Sequence, residues 1–234
     1  MKRLYTFGRM KQLFNAKAEN INSSSLVKGF SIDSRTLKEG DLFFCIKGKK
    51  TDGHIFIQKA LERGASGVIA NPMSIPSEIS NRKFPKFLVP NPNEAFLKLA
   101  SDFRKKFNGR VIAITGSNGK TTTKEIVKNL CSFIDPFTSY TQGNFNNDIG
   151  VPITLLNSNL KAKWWIIEIG TNNFGEIPYL SRIVQPTAGI ITSVGESHLE
   201  FLKNTEGVAQ EKSGLFAGIE PGKNIVIPDS IMHK

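Results

Sequence analysis

Residues 111–127 read VIAITGSNGKTTTKEIV: an apolar run, a glycine-containing turn, a lysine followed by threonine, then a helix-forming stretch. This order of residue types suits phosphate binding. Main-chain N–H groups of a tight turn converge on phosphate oxygens, and the positive end of the following helix adds to them. The expected cradle is Gly116, Ser117, Asn118, Gly119, Lys120, Thr121 and Thr122. The amides of Ser117 to Thr121 would point inward, the Lys120 ammonium would reach the terminal phosphates, and the Thr121 hydroxyl would coordinate Mg²⁺. The usual G-x-x-x-x-G-K-[ST] spacing needs glycine at position 114, where Ile114 stands, so the loop is a tighter G-x-x-G-K-T from Gly116. That spacing points away from ordinary GTPases and kinases.

Other side chains could share this chemistry. Glu168 ends the apolar run WWIIEIG, and a carboxylate at the carboxyl end of a parallel strand lies where such sheets bind ligands. Trp164 and Trp165 before it read as packing. His198, in GESHLE, reads alone as a surface histidine, with Glu196 and Glu200 the polar face of its turn; Lys212, in EGVAQEKSGLF, reads alone as a solvated helix lysine. GNFNND places Asn144, Asn146 and Asn147 beside Gly143. These asparagines either shape a turn or contact substrate or nucleotide phosphates, the second through Asn144 and Asn147. Thr171 and Asn172 either line the same cleft or cap a helix. Earlier in the chain, Ser34 and Arg35 precede the apolar run DLFFCI, and Lys47 and Gly48 follow it. Arginine can fork onto phosphate and serine can donate to it. Asp52 reads as a helix N-cap, His54 as structural, and Lys47, Lys49 and Lys50 as a solvated loop that would favour a diphosphate.

The elements that must hold these residues are legible as patterns. Short apolar runs at 41–46, 68–70 and 87–89 read as strands, with helices at 54–64 and 93–107. From residue 110 the alternation is plainer: strands at 111–115, 164–169, 188–192 and 224–227, and helices at 121–133, 176–184 and 206–216. Apolar strands separated by amphipathic helices predict an α/β protein with a parallel sheet. The expected division is a small α/β domain over 1–92, a connecting helix over 93–109 and a phosphate-loop domain over 110–234. The 234 residues carry a net charge of +11. Residues 1–110 hold 21 basic and 9 acidic side chains, the remainder 10 and 11, so the anion-attracting charge lies in the first part. No apolar run approaches the roughly 20 residues of a membrane span, and the basic start lacks a signal-peptide core. Cys45 and Cys131 make neither a disulfide framework nor a zinc site and suggest a reduced, cytosolic compartment. No aromatic-interleaved basic motif supports nucleic-acid binding.

TGSNGKTTTKE, TQGNFNNDIGVPITLL, IIEIGTNNFGEI, ITSVGESHLEFL and EGVAQEK occur in that order, and the chain resembles the Mur ligases, the ATP-dependent amide ligases of peptidoglycan precursor synthesis. The run FSIDSRTLKEGDLFFCIKGKKTDGHIFIQKALERGA is similar to that family's UDP-sugar-binding domain. Within the family the motifs resemble the members that add D-alanyl-D-alanine to UDP-N-acetylmuramoyl-tripeptide through an acyl phosphate. The resemblance implies ATP and two Mg²⁺ ions, with Thr121, Glu168 and His198 as metal ligands and Lys212 as a lysine carbamylated by CO₂. It implies a UDP site at Ser34, Arg35, Lys47 and Gly48. It also implies a third domain and the end of the second beyond this chain, so a partner chain supplying them, a non-catalytic nucleotide- or UDP-sugar-binding paralogue, and a neighbouring ligase of the family stay open.

Overall fold

The computed structural model describes residues 5–48, 50–196 and 199–229. The chain forms two compact units, Met1–Leu99 and Ala100–Lys234.

In the first unit, α1 (Phe7–Phe14) starts on Thr6, whose hydroxyl accepts from the Arg9 amide, and ends on Asn15 in the left-handed region. It is followed by β1 (Lys17–Glu19), β2 (Gly29–Ser31), β3 (Asp41–Phe44), α2 (Ile57–Glu62), β4 (Gly67–Ala70), α3 (Ser77–Ser80), β5 (Lys86–Leu88) and the start of α4 (Pro92–Arg104). The sheet order is β1-β5-β4-β3-β2. Strands β2 to β5 are parallel, and β1 runs antiparallel on the edge. Strand pleating divides the apolar residues between two faces. Phe43, Cys45, Val68 and Ala70 pack with Ile57 and Ala60. Phe44 points the other way, with ring centroids 5.0 Å from Phe96 and 5.9 Å from Phe14.

The second unit takes the end of α4, then β6 (Arg110–Thr115), α5 (Lys120–Ile134), β7 (Ser139–Tyr140), α6 (Gly150–Asn157), β8 (Trp164–Glu168), α7 (Glu176–Val184), β9 (Ala188–Ile191), α8 (Leu199–Leu202), α9 (Thr205–Ser213) and β10 (Asn224–Val226). The sheet order is β10-β9-β6-β8-β7, parallel throughout. After β6 the chain builds β7 and β8 on one side, then β9 and β10 on the other. The topological switch point therefore lies at β6. Ile114 and Ile166 pack against Cys131 of α5. On the opposite face Trp165 stacks on Phe107, 3.9 Å between centroids, and its Nε1–H donates to the Asn159 carbonyl. Buried Arg104 donates to the carbonyls of Val184, Gln185 and Phe107, so a cation meets the negative end of α7. Both cysteines are free and buried. Among the described residues no helix is long and apolar enough to cross a membrane.

Candidate functional site

The parallel register brings three strand ends to one edge. Ile114 pairs with Glu168, and Thr115 with Ile191, so Gly116, Glu168 and Thr192 emerge together at the switch point. Ligands of open parallel sheets bind there. Gly116 has φ +150°, and a Cβ on it would collide with the Thr192 hydroxyl. Gly119, at φ +81°, makes the left-handed turn that starts α5.

The loop is braced from β9. The Ser117 amide donates to the Ser193 carbonyl (2.9 Å) and the Asn118 amide to the Ser193 hydroxyl (2.8 Å). The Ser117 hydroxyl donates to the Gly195 carbonyl, and the Thr192 and Ser193 hydroxyls donate to the Asn118 carbonyl. The expected nest includes both of these amides; in the structure Ser193 accepts from them, while the amides of Gly119 to Thr122, at the first turn of α5, have no intrahelical acceptor. The Lys120 ammonium folds over the loop onto the carbonyls of Gly116 (2.6 Å) and Ser117 (3.0 Å). Burial pulls its pKa down, and the charge of Glu168 works against that.

Glu168 is the hub of the site and only 1% exposed. Its carboxylate accepts from the Asn146 amide group (2.7 Å) and from the Thr121 hydroxyl (3.2 Å). Lys124 lies 3.9 Å from the same group. Thr121 and Glu168 together offer hard oxygen donors of the kind Mg²⁺ prefers. Among the described residues no group of three or more His, Cys, Asp or Glu side chains could hold a metal ion. His198 lies outside the described residues.

The sequence pattern singled out Asn144 and Asn147, but Asn146 is the asparagine that reaches Glu168. The Asn147 side-chain oxygen accepts from the Ile149 and Gly150 amides at the start of α6. The Asn144 carbonyl accepts from the Asn146 amide. Thr171 and Asn172 are engaged by Glu176, which accepts from the Thr171 hydroxyl and the Asn172 amide and so organises the loop before α7. Burial works to raise the Glu176 pKa, but hydrogen bonds led by the Asn173 side chain leave it lowered.

Lys212 is buried, 1% exposed, on α9. Its neighbour Glu211 accepts from the Gly175 and Ile177 amides, capping α7. Burial first, then the charge of Lys120, bring the Lys212 pKa from 10.5 to about 8, while Glu211 works the other way. The stability consequence has a definite sign. Below pH 8 the lysine is charged in both the folded and the unfolded chain, and the burial penalty is present in full. Between pH 8 and 10.5 the folded chain releases the proton while the unfolded chain keeps it, so stability rises with pH. Lys212→Met is therefore expected to raise the melting temperature at pH 7 by a few degrees, with the gain shrinking toward zero by about pH 10.5. Paired thermal melts across that range check it.

In the first unit, Ser34 and Arg35 follow β2, and Lys47 and Gly48 follow β3, at the carboxyl edge of the parallel strands. The guanidinium of Arg35 forks onto Asp33 (2.8–3.2 Å), and that bonding leads in holding the Asp33 carboxyl below its usual range. The fork expected for phosphate is thus occupied by a carboxylate two residues away. Ser34 is buried. Asn93 clamps Lys47 through both its amide and its carbonyl, and the Gly48 amide donates to Thr51. Asp52 caps the turn at His54 and meets its Nδ1 at 2.5 Å. His54 Nε2 accepts from the Asn71 amide, so His54 is structural. Of the lysine run, Lys49 lies outside the described residues.

A family model described as the Mur ligase middle domain matches residues 114–233. The chain belongs to the Mur ligase family. A second model, the Mur ligase family catalytic domain, matches residues 26–104. This Mur ligase chain is 35% identical to the UDP-N-acetylmuramoyl-tripeptide–D-alanyl-D-alanine ligase of Haemophilus influenzae, over 90% of the chain and 46% of that relative. To the Bacillus subtilis ligase of the same name it is 37% identical, over 88% and 44%. It superposes on MurF from Acinetobacter baumannii with a TM-score of 0.87 at 31% identity, over 96% of this chain and 49% of the other. On the MurF ligase from Thermotoga maritima, solved in complex with ADP, the TM-score is 0.77 at 32% identity, over 88% and 47%. The chain spans about half the length of the curated relatives it matches.

Proposed function

We propose that this chain carries the nucleotide- and UDP-sugar-binding part of an ATP-dependent ligase that joins D-alanyl-D-alanine to UDP-N-acetylmuramoyl-tripeptide in the cytoplasm. The observation that supports the reading is the meeting of Lys120, Thr121 and Glu168 at the switch point of a Mur ligase middle domain.

In this reading a carboxylate oxygen of the tripeptide attacks the γ-phosphorus of ATP. The bond to the β–γ bridging oxygen breaks, and ADP leaves. The amine nitrogen of D-alanyl-D-alanine then attacks the acyl carbon, phosphate departs with the bonding pair, and the nitrogen gives up a proton. Two anions must approach each other, so the chain's task is to gather positive charge. The amides of Gly119 to Thr122 and the Lys120 ammonium hold the phosphates in place. Ser117 and Asn118 shape the loop rather than donate their amides. Thr121 and Glu168 would hold one Mg²⁺, and His198 would belong to a second. When bound, these ions neutralise phosphoryl oxygens. Burial brings the Lys212 pKa down to about 8, which favours the neutral amine, the form that adds to CO₂ with loss of a proton to give a carbamate. Ser34, Arg35, Lys47 and Gly48 are assigned to the UDP diphosphate, with Arg35 exchanging Asp33 for it. Asn144, Asn147, Thr171 and Asn172 are assigned to the substrate side of the cleft.

The test is ADP release by the 234-residue protein given ATP, UDP-N-acetylmuramoyl-tripeptide and D-alanyl-D-alanine, with other amino acids and dipeptides in parallel. Release that requires all three substrates supports the full reading. Binding of nucleotide and UDP-sugar without release limits the chain to the binding part, and binding of neither overturns it.

A further inference from the structure

Lys124 is a fully buried cation that the scheme above does not use. It lies one helical turn after Lys120 and three residues after Thr121, so all three share a face of α5. It is 1% exposed, and its ammonium is 3.2 Å from Glu125 and 3.9 Å from the equally buried Glu168. A buried carboxylate needs a cation nearby, and 3.9 Å is too long for a directed hydrogen bond. Lys124 therefore neutralises Glu168 without being locked to it, and keeps a closer partner in half-exposed Glu125. Asn146 behaves differently. Its side chain donates to Glu168 at 2.7 Å, while its backbone is pinned at both ends: its amide donates to Asn144, and its carbonyl accepts from Gly170.

We infer that Lys124 is the resident counter-ion of Glu168, standing in for the divalent cation and falling back on Glu125 when that cation arrives, and that Asn146 is the positioning residue that aims the carboxylate at the Thr121 side. This inference rests on the metal-nucleotide reading of the site. Together Lys124 and Asn146 keep the Glu168 carboxylate neutralised before the cation binds and aimed to receive it.

The test uses the full chain with Lys124→Met and Asn146→Ala, with Lys124→Gln as the second variant should the methionine form fail to fold. Melting temperature is read in EDTA and in Mg²⁺, and the Mg²⁺ concentration for half-maximal ADP binding is read by calorimetry. Lys124→Met is expected to melt lower than the parent in EDTA, to recover most of that loss in Mg²⁺, and to need about 5- to 10-fold less Mg²⁺, on the order of 1 kcal/mol by the tenfold-per-1.4 conversion. Lys124→Arg should restore parental values. Asn146→Ala should need about tenfold more Mg²⁺. A Lys124→Met protein that loses the same melting temperature in both buffers, with unchanged Mg²⁺ demand, would show a merely structural lysine and overturn the inference. If the parent takes up no ADP at any Mg²⁺ concentration, the ligase reading fails by itself, and the Mg²⁺-reversible melting loss alone decides the role of Lys124.

Discussion

Replacing Lys120 with alanine is expected to weaken Mg·ATP and Mg·ADP binding by about 100-fold or more, with the melting temperature within a few degrees of the parent. The ammonium sits over the mouth of the loop, bonded to the carbonyls of Gly116 and Ser117, and it is desolvated there. Two charge-assisted hydrogen bonds to phosphate, each worth about 1.5 kcal/mol or more, account for roughly two orders of magnitude in affinity. Stability responds little because two effects oppose each other. The loop carbonyls lose their donor, but a partly buried cation is removed. Calorimetric titration of the variant measures the affinity, and an unchanged dissociation constant would take the lysine out of the site.

Trp165→Ala is expected to cost about 3–5 kcal/mol and to lower the melting temperature by roughly 10 °C. The indole is fully buried, stacked on Phe107 and Phe103, and its N–H is satisfied by Asn159. Truncation would leave a cavity beneath β8, the strand that carries Glu168, and would free a carbonyl. Urea denaturation followed by far-UV circular dichroism measures the loss. Trp164→Ala is the internal control: that ring is half-buried under Arg110 and should cost less than half as much. A Trp165 loss under about 1 kcal/mol would contradict the packing described for this face.

The sequence carried the second unit well because its strands are buried on both faces. VIAIT, WWIIE and AGII have no polar face to confuse with a helix, and each emerged as a strand within a residue or two of its expected bounds. The elements that were not legible lack such a signal. β1 is the polar tripeptide KAE on an edge, and β2 is only three residues long. α6 begins GVP, and its proline sits in the first turn, where no N–H is needed, so the segment reads as loop until packing makes it helix. At the site, Lys120, Thr121 and Glu168 followed from residue type and strand-end position. Asn146 and Lys124 did not, because one of three clustered asparagines and one of several helix lysines look alike in sequence. The four-residue step from Lys120 to Lys124 was the available signal for the second. The Ser193 brace was beyond reach, since it depends on β9 lying beside β6, a long-range pairing that short-range spacing does not encode.

Affinity for Mg·ADP, measured by titration calorimetry on the folded 234-residue protein, decides whether the loop from Gly116 is a nucleotide site. The arrangement of Gly119 to Thr122, Lys120 and Glu168 predicts one site per chain, weakened strongly by EDTA and by Lys120→Ala. Absence of heat from a protein that melts cooperatively, at millimolar nucleotide and magnesium, would contradict it.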